Sequence, residues 1–173
     1  NNIPNIYLLH GDLTDEEMNS LYNHPKVKAM VSFTKGEGYG RPLAEFSTTG
    51  KPILSTWWSG QKDFLAHCYR IVGQVGPIDK SSVWEKVILD GSNWFHVNYR
   101  FAKKAFRDLY TNYKKHTPNA KRQKRHINTK FTLEQMNIKF AEILEQYGPK
   151  QETELTLPAF DSIELPTLTK AGE

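Results

Sequence analysis

Short apolar blocks separated by polar ones run through the first 75 residues, and their spacing predicts strands and helices in alternation. Residues 6–10 (Ile-Tyr-Leu-Leu-His) read as a strand. Residues 14–23 read as a helix capped by Thr14, with Glu17 three positions on as its capping-box partner. Residues 27–33 form a second strand, 52–56 a third and 69–75 a fourth, with helices at 42–49 and, shorter, at 61–66. Proline suits the first turn of a helix and glycine the position just past its end, so Pro42 and Gly50 bracket the 42–49 helix. This alternation argues for an α/β fold, a Rossmann-like parallel sheet flanked by helices, in which ligands sit beyond the carboxyl ends of the strands.

After Val75 the pattern changes. Gly76-Pro77-Ile78-Asp79 reads as a turn, and Val83, Trp84, Trp94 and Phe95, on either side of a turn at Asp90-Gly91-Ser92, read as core packing. A long helix is expected over 97–116, with Phe101, Ala105, Leu109 and Tyr113 along one face, ended by Pro118 and Asn119. The last helix, 132–147, has Thr132 as cap, Gln135 as its partner, and Leu133, Met136, Phe140, Ile143 and Leu144 on one side. The chain thus divides into an α/β portion (1–78), a helical C-terminal portion (79–148) with a basic linker at 114–130, and a Thr-, Glu- and Pro-rich tail (149–173), expected to be extended or disordered.

One stretch is poorly explained by folding alone: Lys35-Gly36-Glu37-Gly38-Tyr39-Gly40-Arg41-Pro42-Leu43-Ala44-Glu45. Its glycines join a strand to a helix N-terminus, where unpaired N–H groups and a partial positive charge suit a phosphate that glycine lets come close. Carboxylates instead accept hydrogen bonds from hydroxyls. Glu37 in the loop and Glu45 about one turn into the helix therefore imply a ligand with hydroxyls on both sides of its phosphates, the shape of a nucleotide sugar. A dinucleotide fingerprint is the nearest competitor, but the spacing here is Gly-x-Gly-x-Gly rather than Gly-x-Gly-x-x-Gly.

The block Glu37-Gly38-Tyr39-Gly40-x-Pro42-Leu43-x-Glu45, followed by Gly50-Lys51-Pro52-Ile53-Leu54, resembles the signature of the retaining glycosyltransferases of the two-domain B type (GT-B), the glycogen-synthase and sucrose-synthase-like group. The order of residues 6–11, the acidic helix with Leu21 and Tyr22, and the 27–33 strand are similar to that family's second, donor-binding domain. Ser59-Gly60-Gln61-Lys62-Asp63-Phe64 stands where members often carry a Gly-Gly-x-x-Glu-like turn. The resemblance covers residues 3–75 well and the remainder loosely. It implies that Glu37 contacts the donor hexose, that the amides of Gly38, Tyr39 and Gly40 bind sugar and phosphates, and that Glu45 holds the ribose. Leu43 would pack beside the nucleoside and backbone near Gly11 would receive the base. Arg41 departs from the apolar residue common there; it is placed either on phosphate or acceptor, or in solvent. The implied reaction is transfer, with retention of configuration, of a hexose from a UDP- or GDP-linked donor to an acceptor that is a glycan, a lipid-linked molecule or nucleic acid, without an obligatory metal. The family's phosphate-clamping Arg and Lys, and its N-terminal acceptor domain, would lie upstream of Asn1.

Composition adds limits. With 173 residues, 38% hydrophobic and 12% aromatic, the chain can build one good core, and it is expected to be the C-terminal part of a longer enzyme. No apolar run is long enough to span a membrane and there is no basic-then-apolar leader, so a cytoplasmic address is expected. The single cysteine, Cys68, excludes an intrachain disulfide framework and reads as an ordinary part-buried thiol. The net charge of +4 is concentrated in Lys114-Lys115-His116, 121–126 and Lys130. That run reads as a solvated linker, because no aromatic interleaves with it to stack bases. The alternative is a non-catalytic binding or assembly module contacting nucleic acid through the basic run.

Overall fold

The computed structural model describes residues 4–149. Two compact units divide the chain between Met136 and Asn137. The first contains α1 (Asp15–Asn23), β1 (Met30–Ser32), α2 (Arg41–Ser47), β2 (Ile53–Thr56), a 3-10 turn (Ser59–Asp63), β3 (Tyr69–Ile71), β4 (Gly73–Pro77), a second 3-10 turn (Lys80–Ser82), β5 (Asn93–Val97), α3 (Tyr99–Thr111) and α4 (Tyr113–Lys130). Strands β1, β2 and β3 form a parallel sheet in that order, with Met30 opposite Ile53 and Leu54 opposite Tyr69. This is an α/β arrangement compatible with a Rossmann-like sheet.

Strand β2 is buried along its whole length, and its side chains alternate between two cores. Ile53 packs with Leu43, Phe46, Phe64, Leu65 and Ile127, so α2 and α4 cover one face. Leu54 packs with Ile71, Ala102, Ala105 and Leu109, so α3 covers the other. The largest of these side chains contribute about 1.5–3 kcal/mol each by leaving water.

The caps read from sequence are present. Thr14 and Glu17 bond reciprocally as a capping box, Pro42 sits in the first turn of α2, and Gly50 takes the left-handed conformation (φ 73°) just beyond it. Other expectations need correction. Residues 6–10 are not a strand: they run as exposed coil, because no described residue offers them a ladder. The 69–75 strand divides at Val72 into β3, which joins the parallel sheet, and β4, which pairs antiparallel with β5. Gly76 and Pro77 are therefore strand residues rather than a turn. The aromatics around 90–92 do not form a core. Trp84 is 65% exposed, and Trp94 instead lies beneath the Lys35 ammonium (4.0 Å to the ring centre).

The largest correction concerns the 97–116 helix and the basic linker. Helix α3 stops at Thr111, and 113–130 is a helix, not a linker, with Pro118 inside it. Proline there removes the N–H that would bond the Lys114 carbonyl, and the Thr117 hydroxyl donates to that carbonyl instead (2.8 Å). The chain turns at Asn112, and the corner is held by His116 Nε2 on Asp108 Oδ2 (2.9 Å), with the His116 ring stacked on Tyr69. Gln123 anchors the middle of α4: it accepts from the His67 N–H (2.9 Å) and donates to the Phe64 carbonyl (2.8 Å).

Most of α5 (Leu133–Tyr147) belongs to the second unit. Thr132 caps it by accepting from the Gln135 N–H, while Leu133, Phe140, Ile143 and Leu144 remain exposed. The tail expected to be extended or disordered lies, from Lys150 onward, outside the described residues. Among the described residues no helix is long and apolar enough to cross a membrane.

Candidate functional site

The glycine loop leaves the carboxyl end of β1 and is fastened along its length. At its root, the Phe95 N–H of β5 donates to the Lys35 carbonyl (3.0 Å). In its middle, the Glu37 carbonyl accepts both the Ser59 hydroxyl (2.6 Å) and the Gly60 N–H (3.0 Å). At its end, the Gly40 carbonyl accepts from Leu43 and Ala44 as the first turn of α2 forms. Gly40 has φ 90°, which only glycine adopts readily. Both the loop and the 59–63 turn follow carboxyl ends of parallel strands, where α/β folds place ligands.

Gly60 is the residue this clamp depends on. A Cβ there would lie 2.6 Å from the Gly38 carbonyl carbon, closer still to its oxygen, and 2.9 Å from Tyr39 Cα. Ser59 is also unusual, with φ 63°. Beneath the loop, Gln61 is fully buried and donates to the carbonyl and hydroxyl of Thr56, while its Oε1 has no partner among the described residues. The Tyr39 ring lies against Phe64 (4.9 Å between centres), and partial burial, with the Asp63 charge second, pushes its phenol above the ordinary range. A short helix is expected at 61–66 and the structure has a 3-10 turn at Ser59–Asp63, but nothing in the spacing marks Gly60 as the contact that fixes the loop.

With three carbonyls turned inward, the amides of Gly38, Tyr39 and Gly40 form no hydrogen bond to any described residue. Glu37 is a half-buried residue, and its carboxylate is likewise unpaired among them. Glu45 differs: the Arg41 guanidinium one turn earlier pairs with it, and Asp15 of α1 lies 3.9 Å from the same arginine. The Arg41 side chain is thus paired yet 75% exposed, and the hydrogen bond it donates to Glu45, then that carboxylate's charge, hold the guanidinium more firmly protonated.

Glu45 and Arg41 border a cleft of about 320 Å³ between α1 and α2, lined also by Asp15, Asn19, Tyr22 and Thr48. Burial, and after it the Glu45 carboxylate, raise the Tyr22 phenol above its usual value, and the Tyr22 ring packs edge-on to Phe46 (5.5 Å). Leu43 is buried in the core, 2% exposed, so it supports α2 from below and offers no face to a ligand. Gly11 lies in the exposed stretch before α1, with φ 133° and nothing near it, and does not line the cleft. Arg41 and Glu45 share the α1–α2 cleft, whereas the loop residues 37–40, Leu43 and Gly11 do not line it. Among the described residues no three His, Cys, Asp or Glu side chains are grouped to hold a metal ion.

No family model, no curated protein and no solved structure matches the chain. The functional reading rests on its own residues.

Proposed function

We propose that this chain is the donor-binding part of a retaining hexosyltransferase of the GT-B type. The observation that carries the reading is the order of groups along the chain after β1: the Glu37 carboxylate and the amides of Gly38–Gly40, without hydrogen-bond partners among the described residues, then the Glu45 carboxylate beside a cleft. A nucleoside diphosphate hexose complements that order. Its hexose hydroxyls meet Glu37, its phosphates meet the amides, and its ribose hydroxyls meet Glu45 after Arg41 swings away. Fixed N–H groups aimed at the diphosphate stabilise the charge that develops on it as the glycosidic bond breaks. In this role Glu37 orients the sugar; it is not the attacking group. The donor is a UDP- or GDP-linked hexose, the acceptor comes from outside these residues, and no metal is obligatory.

Calorimetric titration of the full chain with UDP, GDP and their hexose conjugates tests the reading. Glu45→Ala should weaken free nucleotide at least about tenfold, or 1.4 kcal/mol. Glu37→Ala should spare the free nucleotide and weaken the sugar conjugate. Wild-type affinity for every nucleotide and conjugate in both variants would sink the assignment.

A further inference from the structure

Helix α4 segregates charge more sharply than any other element. Seven of the 23 Lys and Arg lie on it (Lys114, Lys115, Lys121, Arg122, Lys124, Arg125 and Lys130) with none of the 19 Asp and Glu, so the remainder of the chain holds 16 cations against 19 anions. The helical conformation turns that composition into a surface. Ala120, Gln123 and Ile127 face the core, which aims Lys114, Lys121 and Arg125 at solvent on the opposite side, with Lys115 and Arg122 flanking them. None of the seven makes an ion pair with a described residue. At 1.5 Å per residue the ridge from Lys114 to Arg125 is about 16 Å long.

We propose that this ridge docks on the phosphate backbone of double-stranded nucleic acid. Duplex DNA carries one negative charge per ~1.7 Å of axis, so ~16 Å of it presents about ten phosphates to the five cations. The composition of the exposed face separates this partner from a bilayer. None of the large apolar side chains exposed in the described chain lies on α4, so the face has nothing to insert among acyl chains, whereas phosphate contact needs only cations and small polar groups such as Asn128. The absence of exposed aromatics on α4 equally disfavours single strands, whose bases stack on rings. The inference stands apart from the donor reading: the ridge is on α4, and the glycine loop is on the strand ends.

Fluorescence anisotropy of a labelled 30-base-pair duplex of arbitrary sequence, titrated with the full chain at several salt concentrations, tests it. The expected result is sequence-independent binding whose logarithm falls with log salt at a slope of about −3 to −4.5. The triple variant Lys114→Gln, Lys121→Gln, Arg125→Gln should flatten the slope by about 2.7, with an unchanged helical circular-dichroism spectrum. The control triple Arg100→Gln, Lys103→Gln, Arg107→Gln on α3 should leave the slope within one unit. No duplex binding at 50 mM salt, a wild-type slope in the α4 variant, or binding confined to phosphatidylserine vesicles or to single strands would overturn the proposal.

Discussion

Replacing Gly60 by alanine tests the loop clamp independently of any ligand. The added methyl would lie 2.6 Å from the Gly38 carbonyl carbon, where ordinary contact begins at 3.4 Å, and both neighbours are backbone that no rotamer change can move. Relief requires the loop and the 59–63 turn to separate by on the order of 1 Å, an overpacking strain of about 1–3 kcal/mol. Separation also stretches the bonds from Gly60 N–H and the Ser59 hydroxyl to the Glu37 carbonyl, each worth ~1 kcal/mol. The total is about 3–5 kcal/mol, or roughly 6–20 °C in Tm for a chain of this size. Thermal and urea denaturation followed by circular dichroism reads it directly. The control is Gly38→Ala, whose methyl would meet nothing within 4 Å and should shift stability by less than about 0.5 kcal/mol. A Gly60→Ala protein melting within 2 °C or so of wild type would refute the clamp, because ~1 kcal/mol alone moves Tm by that much.

Gln123→Leu keeps the volume at the middle of α4 but leaves the His67 N–H and the Phe64 carbonyl without partners, so it should cost about 2–4 kcal/mol in urea denaturation; a neutral result would mean that α4 is not held there. Burial pushes the Cys68 thiol up to about 11 from 9.0, so at pH 8 the native thiol should react with a disulfide reagent about 100-fold more slowly than the unfolded one, and equal rates would contradict its placement. The folded state keeps that proton where the unfolded chain gives it up, so the contribution is intact below pH 9 and is lost, by on the order of 2–3 kcal/mol, as pH rises towards 11; Cys68→Ala should remove that component of the slope. Arg41→Ala uncovers the Glu45 carboxylate and should raise nucleotide affinity while leaving Tm unchanged within error, whereas a tenfold loss would place the guanidinium on phosphate.

Local signals in the sequence translated well into structure. Thr14 with Glu17, and Pro42 with Gly50, mark helix boundaries because each is settled within one turn of chain. What was not legible depends on partners far away. Residues 6–9 are apolar enough for a strand, yet a strand exists only beside a neighbour. The split at Val72 follows from β5, more than twenty residues on, capturing β4. Pro118 looked like a stop, but it falls near the start of α4, where only one bond is lost and Thr117 offsets it. In the candidate site, the loop follows the carboxyl end of β1 and leads into α2 as the sequence pattern predicts, while Arg41 and Glu45 line a cleft against α1. The clamp by Gly60, the pairing of Arg41 with Glu45 and the burial of Leu43 are tertiary facts that spacing does not carry.

The three inward carbonyls of the loop have a thermodynamic corollary. Holding the chain at Lys35, Glu37 and Gly40 means that the backbone entropy of this segment, about 1–2 kcal/mol per residue, is surrendered during folding and not at the moment of encounter. A ligand arriving at the Gly38–Gly40 amides therefore meets donors already oriented, and its association should show little ordering entropy and little slowing from loop rearrangement. The alternation of glycine with larger residues thus acts as a device for preorganisation: the carbonyls of Lys35 and Glu37 are held by the protein, while the following amides of Gly38–Gly40 are left without a partner among the described residues.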